Sequence, residues 1–189
     1  MGYLPPRGPA VTPSVASLAF TLGVMNTQDQ LTGLDTYDSF LQALCSSAPS
    51  AEIVLFDIDY LRLFMHEYGI DAADCLVKAI AQSVAQTAAA MGIMAYRIYG
   101  DEFAVLASAG KGLEFARHAQ IAVANIQSPV PPQHPSLAHA ASVSALTCRI
   151  GMRSKASLPE AIDWLRNEME RHKSEFGRGK PPAVVSLPA

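Results

Sequence analysis

The chain has 189 residues, with 14 Lys plus Arg against 17 Asp plus Glu and a formal net charge of -3. That length suits one domain, and 50% hydrophobic with 16% charged residues excludes a globally disordered chain. The mildly acidic balance excludes the basic footprint of a duplex-binding protein, and Cys45, Cys75 and Cys148 are too few and too far apart for a disulfide framework or a zinc cluster, so each reads as a small buried hydrophobe in a reducing compartment.

Residues Met1 to Pro13 hold Pro5, Pro6, Pro9 and Pro13, which predicts an irregular arm. Ser14 is placed to cap a lead helix running to about Asn26. Its apolar stretch Val15 to Met25 is too short to span a bilayer, and Arg7 is the only base before it, so neither a membrane span nor a signal peptide is expected and the protein is expected in the cytoplasm. The domain proper is expected over 27–189, opening with the turn Leu31-Thr32-Gly33-Leu34 and a helix from about Tyr37 to Cys45. Ala51 to Ile58 is a continuous apolar run ending in acids, the pattern of a strand buried on both faces. Helices follow over about Tyr60 to Glu67 and Ala72 to Ala90, broken at Gly69. Ile93 to Ile98 and Phe103 to Leu106 flank a Gly-containing polar turn and predict a hairpin. Then come a helix over Gly112 to Ile126, a Pro-rich loop over Ser128 to Ala138, a strand over Ser142 to Met152, a helix from Leu158 to about Glu175, and a short strand over Ala183 to Leu187. This alternation, with one hairpin in the middle, predicts a mixed α/β sheet with helices packed on it.

Two acidic turns stand out. Phe56-Asp57-Ile58-Asp59 ends one strand, and Tyr99-Gly100-Asp101-Glu102-Phe103 makes the hairpin tip. If the strands are neighbours, Asp57 and Asp101 converge at one end of the sheet. Converging carboxylates repel without a cation, and their hard oxygens suit magnesium bridging to a nucleotide phosphate. Gly100 would let backbone amides approach such a ligand. Asp at strand ends and hairpin tips is also ordinary turn chemistry, so these residues alone leave both readings open.

The order of the motifs narrows the choice. Leu31-Thr32-Gly33-Leu34, Phe56-Asp57-Ile58-Asp59, Tyr68-Gly69 with Asp74, and Arg97-Ile98-Tyr99-Gly100-Asp101-Glu102-Phe103 together resemble the GGDEF family, the diguanylate cyclases. Leu146 to Gly151 and Lys173 to Arg178 resemble the family's last strand, helix and tail. The resemblance implies a ferredoxin-like palm with a mixed, mostly antiparallel central sheet flanked by helices. It implies magnesium or manganese held by Asp57, the Ile58 carbonyl and Asp101, with Asp101 and Glu102 as the catalytic acids of the signature. It implies GTP or a related guanine nucleotide bound by Asp74 at the base, by Arg62 where the family has a phosphate-contacting Lys, and by Lys173 and Arg178 at the terminal phosphates. In such enzymes two GTP-loaded chains face each other and each 3′-hydroxyl attacks the other's α-phosphate.

The departures bear on activity. Tyr99 stands at the signature's first Gly, where its ring could fill space that the backbone leaves to the nucleotide. Met65 stands where an Asn pairs with guanine; a thioether cannot donate, and a lost contact of that kind costs about 1–3 kcal/mol. Thr36-Tyr37 replaces an Asn-Arg, Arg166 replaces an Asp, and the interval from Lys173 to Arg178 is one residue longer than usual. The feedback site would fall at Ala90 to Ile93, where its Arg and Asp are absent. The five histidines, His66, His118, His134, His139 and His172, lack metal-ligand spacing and read as solvated or loop residues, while Trp164 and Met169 read as packing residues. The cluster Arg166, Arg171, His172, Lys173 and Arg178 is either a solvated helix face or a phosphate site. The expected function is a degenerate GGDEF-type module that binds guanine nucleotide, with a homodimer or a protein partner as its assembly and no nucleic acid; the alternative is an active cyclase. No sensor domain fits in the chain, so input is expected through the lead helix, the surface or another polypeptide.

Overall fold

The computed structural model describes residues 27–126, 141–151 and 157–187. The expected arm and lead helix over 1–26 and the Pro-rich loop over 128–138 lie outside the described residues. The elements are α1 (Tyr37–Ser46), β1 (Glu52–Ile58), α2 (Leu61–Tyr68), α3 (Ile70–Ala90), β2 (Ala95–Tyr99), β3 (Glu102–Ala107), α4 (Gly112–Ala124), β4 (Val143–Arg149), α5 (Leu158–Phe176) and β5 (Ala183–Ser186).

The five strands form one sheet in the order β2-β3-β1-β4-β5. Every pairing is antiparallel except β4 with β5, which is parallel. The mixed, mostly antiparallel sheet flanked by helices is therefore present. The apolar run that predicted a doubly buried strand is β1, the central strand. Period-two alternation divides its side chains between two layers. Val54, Phe56 and Ile58 pack with Leu76, Ile80 and Val84 of α3 and Phe115 and Ala119 of α4. Ile53 and Leu55 face the other way, onto Phe40 and Leu44 of α1 and Ile162, Leu165 and Met169 of α5. Asp57 belongs by the same alternation to the α5 face, and that places the chemistry described below.

Local sequence explains the joints. Gly69 takes φ +85°, a region open to glycine, so the chain turns sharply enough for α3 to begin at Ile70, two residues before the expected Ala72. The buried stripe of α3 is Ala73, Leu76, Val77, Ile80, Ala81, Val84 and Ala88, the spacing of one helical face. Pro159 sits in the first turn of α5, and the helix stops at Gly177, whose φ is +89°. Met169 is buried and Trp164 packs beside it against the same core, as expected. Cys148 is buried and Cys45 partly so, but Cys75 is exposed on the outer side of α3, contrary to expectation, because residue 75 falls one position off the buried stripe. No helix among the described residues is long and apolar enough to cross a membrane.

Candidate functional site

The site is built at the end of the sheet where β1 leaves and the β2–β3 hairpin turns. β3 is the direct neighbour of β1, with Asp57 opposite Glu102 in register. One further backbone bond, from the Ile58 amide to the Asp101 carbonyl at 3.0 Å, carries the pairing past the strand end. Asp57, Ile58, Asp101 and Glu102 are thus gathered as the motif spacing predicted. Ile58 points its side chain into the core, leaving only its backbone for the site.

Asp57 is nearly buried, and Lys173 Nζ lies 2.6 Å from its Oδ1. Burial still prevails and pushes the Asp57 carboxyl up to about 6; the Lys173 ammonium pulls it down, while Asp101 and Glu170 push it further up. Lys173 is itself buried and has a second partner, Glu170 Oε1 at 2.7 Å, whose carboxyl it holds below the usual range. Asp101 is half-buried in the hairpin turn. A Cβ added to Gly100 would meet no atom within 4 Å, and its φ is not left-handed. The fold itself therefore does not demand glycine there.

Glu102 is paired with Arg166. Arg166 Nε donates to Glu102 Oε1 at 2.9 Å and lies 2.8 Å from Oε2. The Arg166 guanidinium stacks over the Tyr99 ring, 5.2 Å from its centroid, while the ring remains 69% exposed at the end of β2. The basic cluster on α5 thus splits. Arg166 and Lys173 turn to the sheet, whereas Arg171 pairs outward with Glu168 and Glu175.

Residues of the expected base and phosphate contacts lie on α2, α3 and the tail. Asp74 is half-buried on α3, and Arg62 and Met65 are exposed on α2, Met65 by 41%. Arg178 follows the end of α5 and stacks on Tyr60, 5.3 Å from ring centroid to guanidinium carbon. Tyr60 adopts a left-handed φ of 58° in the turn after the acids, a conformation rare for a bulky residue.

Three residues of this region were missed from sequence. Asp59 is buried, and its two oxygens accept from Ser142 at 2.8 Å and Ser144 at 2.7 Å. It ties the exit of β1 to the start of β4, and Arg178 Nη1 lies 3.9 Å from its Oδ1. Arg97 reaches Asp29 at 2.7 Å and donates to the Gly100 carbonyl at 2.6 Å, while Asp29 also accepts from the amide and hydroxyl of Thr32. The opening turn and the hairpin tip are thereby one unit. The signal available in sequence was Asp29 three residues before Thr32, the spacing of a side-chain-capped turn; its distant partner was not legible.

The donor set fits a hard cation. Asp101 lies close enough to Asp57 to help push the Asp57 carboxyl up, and the Ile58 amide bonds the Asp101 carbonyl beside them. No group of three or more His, Cys, Asp or Glu gathers for a metal among the described residues. Two carboxylates and a carbonyl are a sparse set, which suits magnesium, an ion that keeps waters and takes oxygens from substrate phosphates.

The profile of the family described as diguanylate cyclase, GGDEF domain, matches residues 26–175. The chain belongs to the GGDEF family. A search of curated proteins finds no match. Among solved structures, the GGDEF domain of DgcB from Caulobacter crescentus in complex with c-di-GMP is 23% identical, with a TM-score of 0.64 over 85% of this chain and 95% of that one. The diguanylate cyclase SiaD from Pseudomonas aeruginosa, in complex with its activator SiaC, is 18% identical, with a TM-score of 0.66 over 91% and 66%. The S helix-GGDEF-EAL portion of LapD from Vibrio cholerae, bound to c-di-GMP, is 16% identical, with a TM-score of 0.67 over 90% and 39%. These likenesses carry the fold. The α/β palm expected from the motifs is the GGDEF fold, and the chain is a GGDEF domain of the cyclic di-GMP signalling type.

Proposed function

We propose that this GGDEF domain binds GTP or a related guanine nucleotide with a divalent cation and turns it over slowly or not at all. The observation that carries the reading is the acid pair Asp57 and Asp101, brought together by the β1–β3 pairing while Met65 stands exposed on the neighbouring helix. Asp57, Asp101 and the Ile58 carbonyl would hold magnesium or manganese. A bound cation would supply charge stabilisation at the phosphates. Lys173 and Arg178 flank the same end of the sheet as cations for phosphate, and Arg62 adds a third from α2. Asp74 would accept from the guanine edge, but Met65 offers no donor in return. Tyr99 stands exposed beside Gly100 with its ring against the Arg166 guanidinium, where the family has a glycine.

An active diguanylate cyclase, making cyclic di-GMP from two GTP, is the second reading. It is favoured by the retention of all the acids, Asp57, Asp101 and Glu102. The two readings share the domain boundary near residue 27, cytoplasmic placement and a homodimer or protein partner. The experiment is purified protein with GTP and magnesium, followed by mass spectrometry for cyclic and linear dinucleotides and calorimetry for binding. Magnesium-dependent GTP binding without product supports the proposal. Robust product from the unmodified protein establishes the cyclase instead. Equal GTP affinity with and without magnesium counts against the cation site.

A further inference from the structure

Helix α5 lays two cations across the site. Arg166 and Lys173 are seven residues apart, about two turns, and so share one side of the helix. Each meets a carboxylate on the sheet, Arg166 with Glu102 and Lys173 with Asp57. Those carboxylates are cross-strand partners and project from the same face of the sheet. Two of the site's carboxylates are therefore already paired from within the chain.

The two pairs differ in how easily they part. Lys173 holds Glu170 at 2.7 Å as well as Asp57, so it keeps a partner when it leaves Asp57. Outside its bond to Glu102, the further ion pair of Arg166 among the described residues is a longer 3.7 Å contact to Asp163. The Glu102 side chain is 12% exposed, and both its oxygens lie against Arg166 Nε. The Tyr99 ring closes the outer side of the guanidinium. Separating this pair would strand a carboxylate with little access to water, which costs far more than parting an exposed one.

We propose that Arg166 is a positioning residue that acts through Glu102. By holding Glu102 under Tyr99, it withholds that carboxylate from a divalent cation and limits the site to Asp57 and Asp101. Cation affinity without nucleotide is then low, and the phosphates must supply the missing oxygens. The inference rests on the cation site proposed above, and it names a substitution that enlarges the donor set.

The test measures Mn2+ binding to the full chain without nucleotide, by electron paramagnetic resonance. Arg166→Gln frees Glu102 and is expected to raise Mn2+ affinity about tenfold, since charge count sets the affinity of oxygen sites. Arg166→Lys restores the charge and is expected to return the affinity to within about threefold of the parent. Adding Glu102→Gln to Arg166→Gln is expected to remove the gain, a result that a general loosening of α5 would not produce. Should the Gln variant fail to fold, Arg166→Met keeps the aliphatic stem and makes the same prediction. No gain in a folded Gln or Met variant overturns the inference, as does a gain that survives Glu102→Gln. Mn2+ binding that is unaffected by Asp57→Asn would overturn the cation site itself, a separately visible outcome.

Discussion

Asp57 is both the candidate site's most perturbed acid and a stability liability. Its carboxyl is pushed up to about 6, mainly by burial. Between the unfolded carboxylate range and that value, the folded protein holds a proton that the unfolded chain has lost. Bound protons then number more in the folded state, so stability falls as pH rises through about 4 to 6 and the loss is complete above it. Relative to Asp57→Asn, the parent is expected to lose on the order of 2–3 kcal/mol across this window. Urea unfolding of both proteins at pH 4 and pH 7 checks it; parallel pH profiles would show that Asp57 titrates normally. The signature's acids were legible as residues, because a strand end and a hairpin tip announce themselves in sequence. Lys173 was legible as a site cation, but its pairing with Asp57 and that of Arg166 with Glu102 were not, because helical charges look alike until one side of the helix is buried.

At the scale of elements, the hairpin is held by a side chain from a turn sixty-eight positions away in sequence. Asp29 anchors Thr32 in its own turn and Arg97 of β2, and Arg97 passes the contact to the Gly100 carbonyl. Asp29→Ala leaves a largely buried guanidinium without its carboxylate, and is expected to cost about 2–3 kcal/mol. The loss should localise. Amide hydrogen exchange at Gly100 and Asp101 is expected to quicken more than at Phe103 or Val105, which remain in the ladder. Uniform acceleration would mean that Asp29 supports the whole domain and not the tip. The hairpin itself was predictable from two apolar runs about a glycine turn. Its boundaries moved by a residue or two because pairing with β1 extends β3 back to Glu102, a tertiary effect that local pattern does not carry.

For the whole molecule, the expected deficit lies in recognition more than in the fold. Met65 offers no donor to a base, and Tyr99 stands at the tip where the family has a glycine. Met65→Asn with Tyr99→Gly is expected to tighten GTP binding by about one to two decades, the worth of one bidentate contact. If product then forms, its rate per chain should rise with protein concentration, since two loaded chains must meet. Calorimetry and a concentration series of product formation check the two parts. Unchanged affinity would move the deficit to the tail, where the longer interval between Lys173 and Arg178 ends with Arg178 stacked on Tyr60.

The sequence by itself determined the family, the element order and the acids. The apolar run of β1, the stripe of α3 and the ordered motifs each encode local periodicity or turn chemistry, which neighbouring residues suffice to express. Only the tertiary structure decided which cation meets which carboxylate. Lys173 reaches Asp57 and Arg166 reaches Glu102 because α5 packs on the face of β1 opposite α3 and α4. The same holds for Asp59 with Ser142 and Ser144, and for Arg97 with Asp29. Each of these contacts joins elements distant in the chain, and the energy of a charged pair depends on burial and separation, which are set only when the layers close.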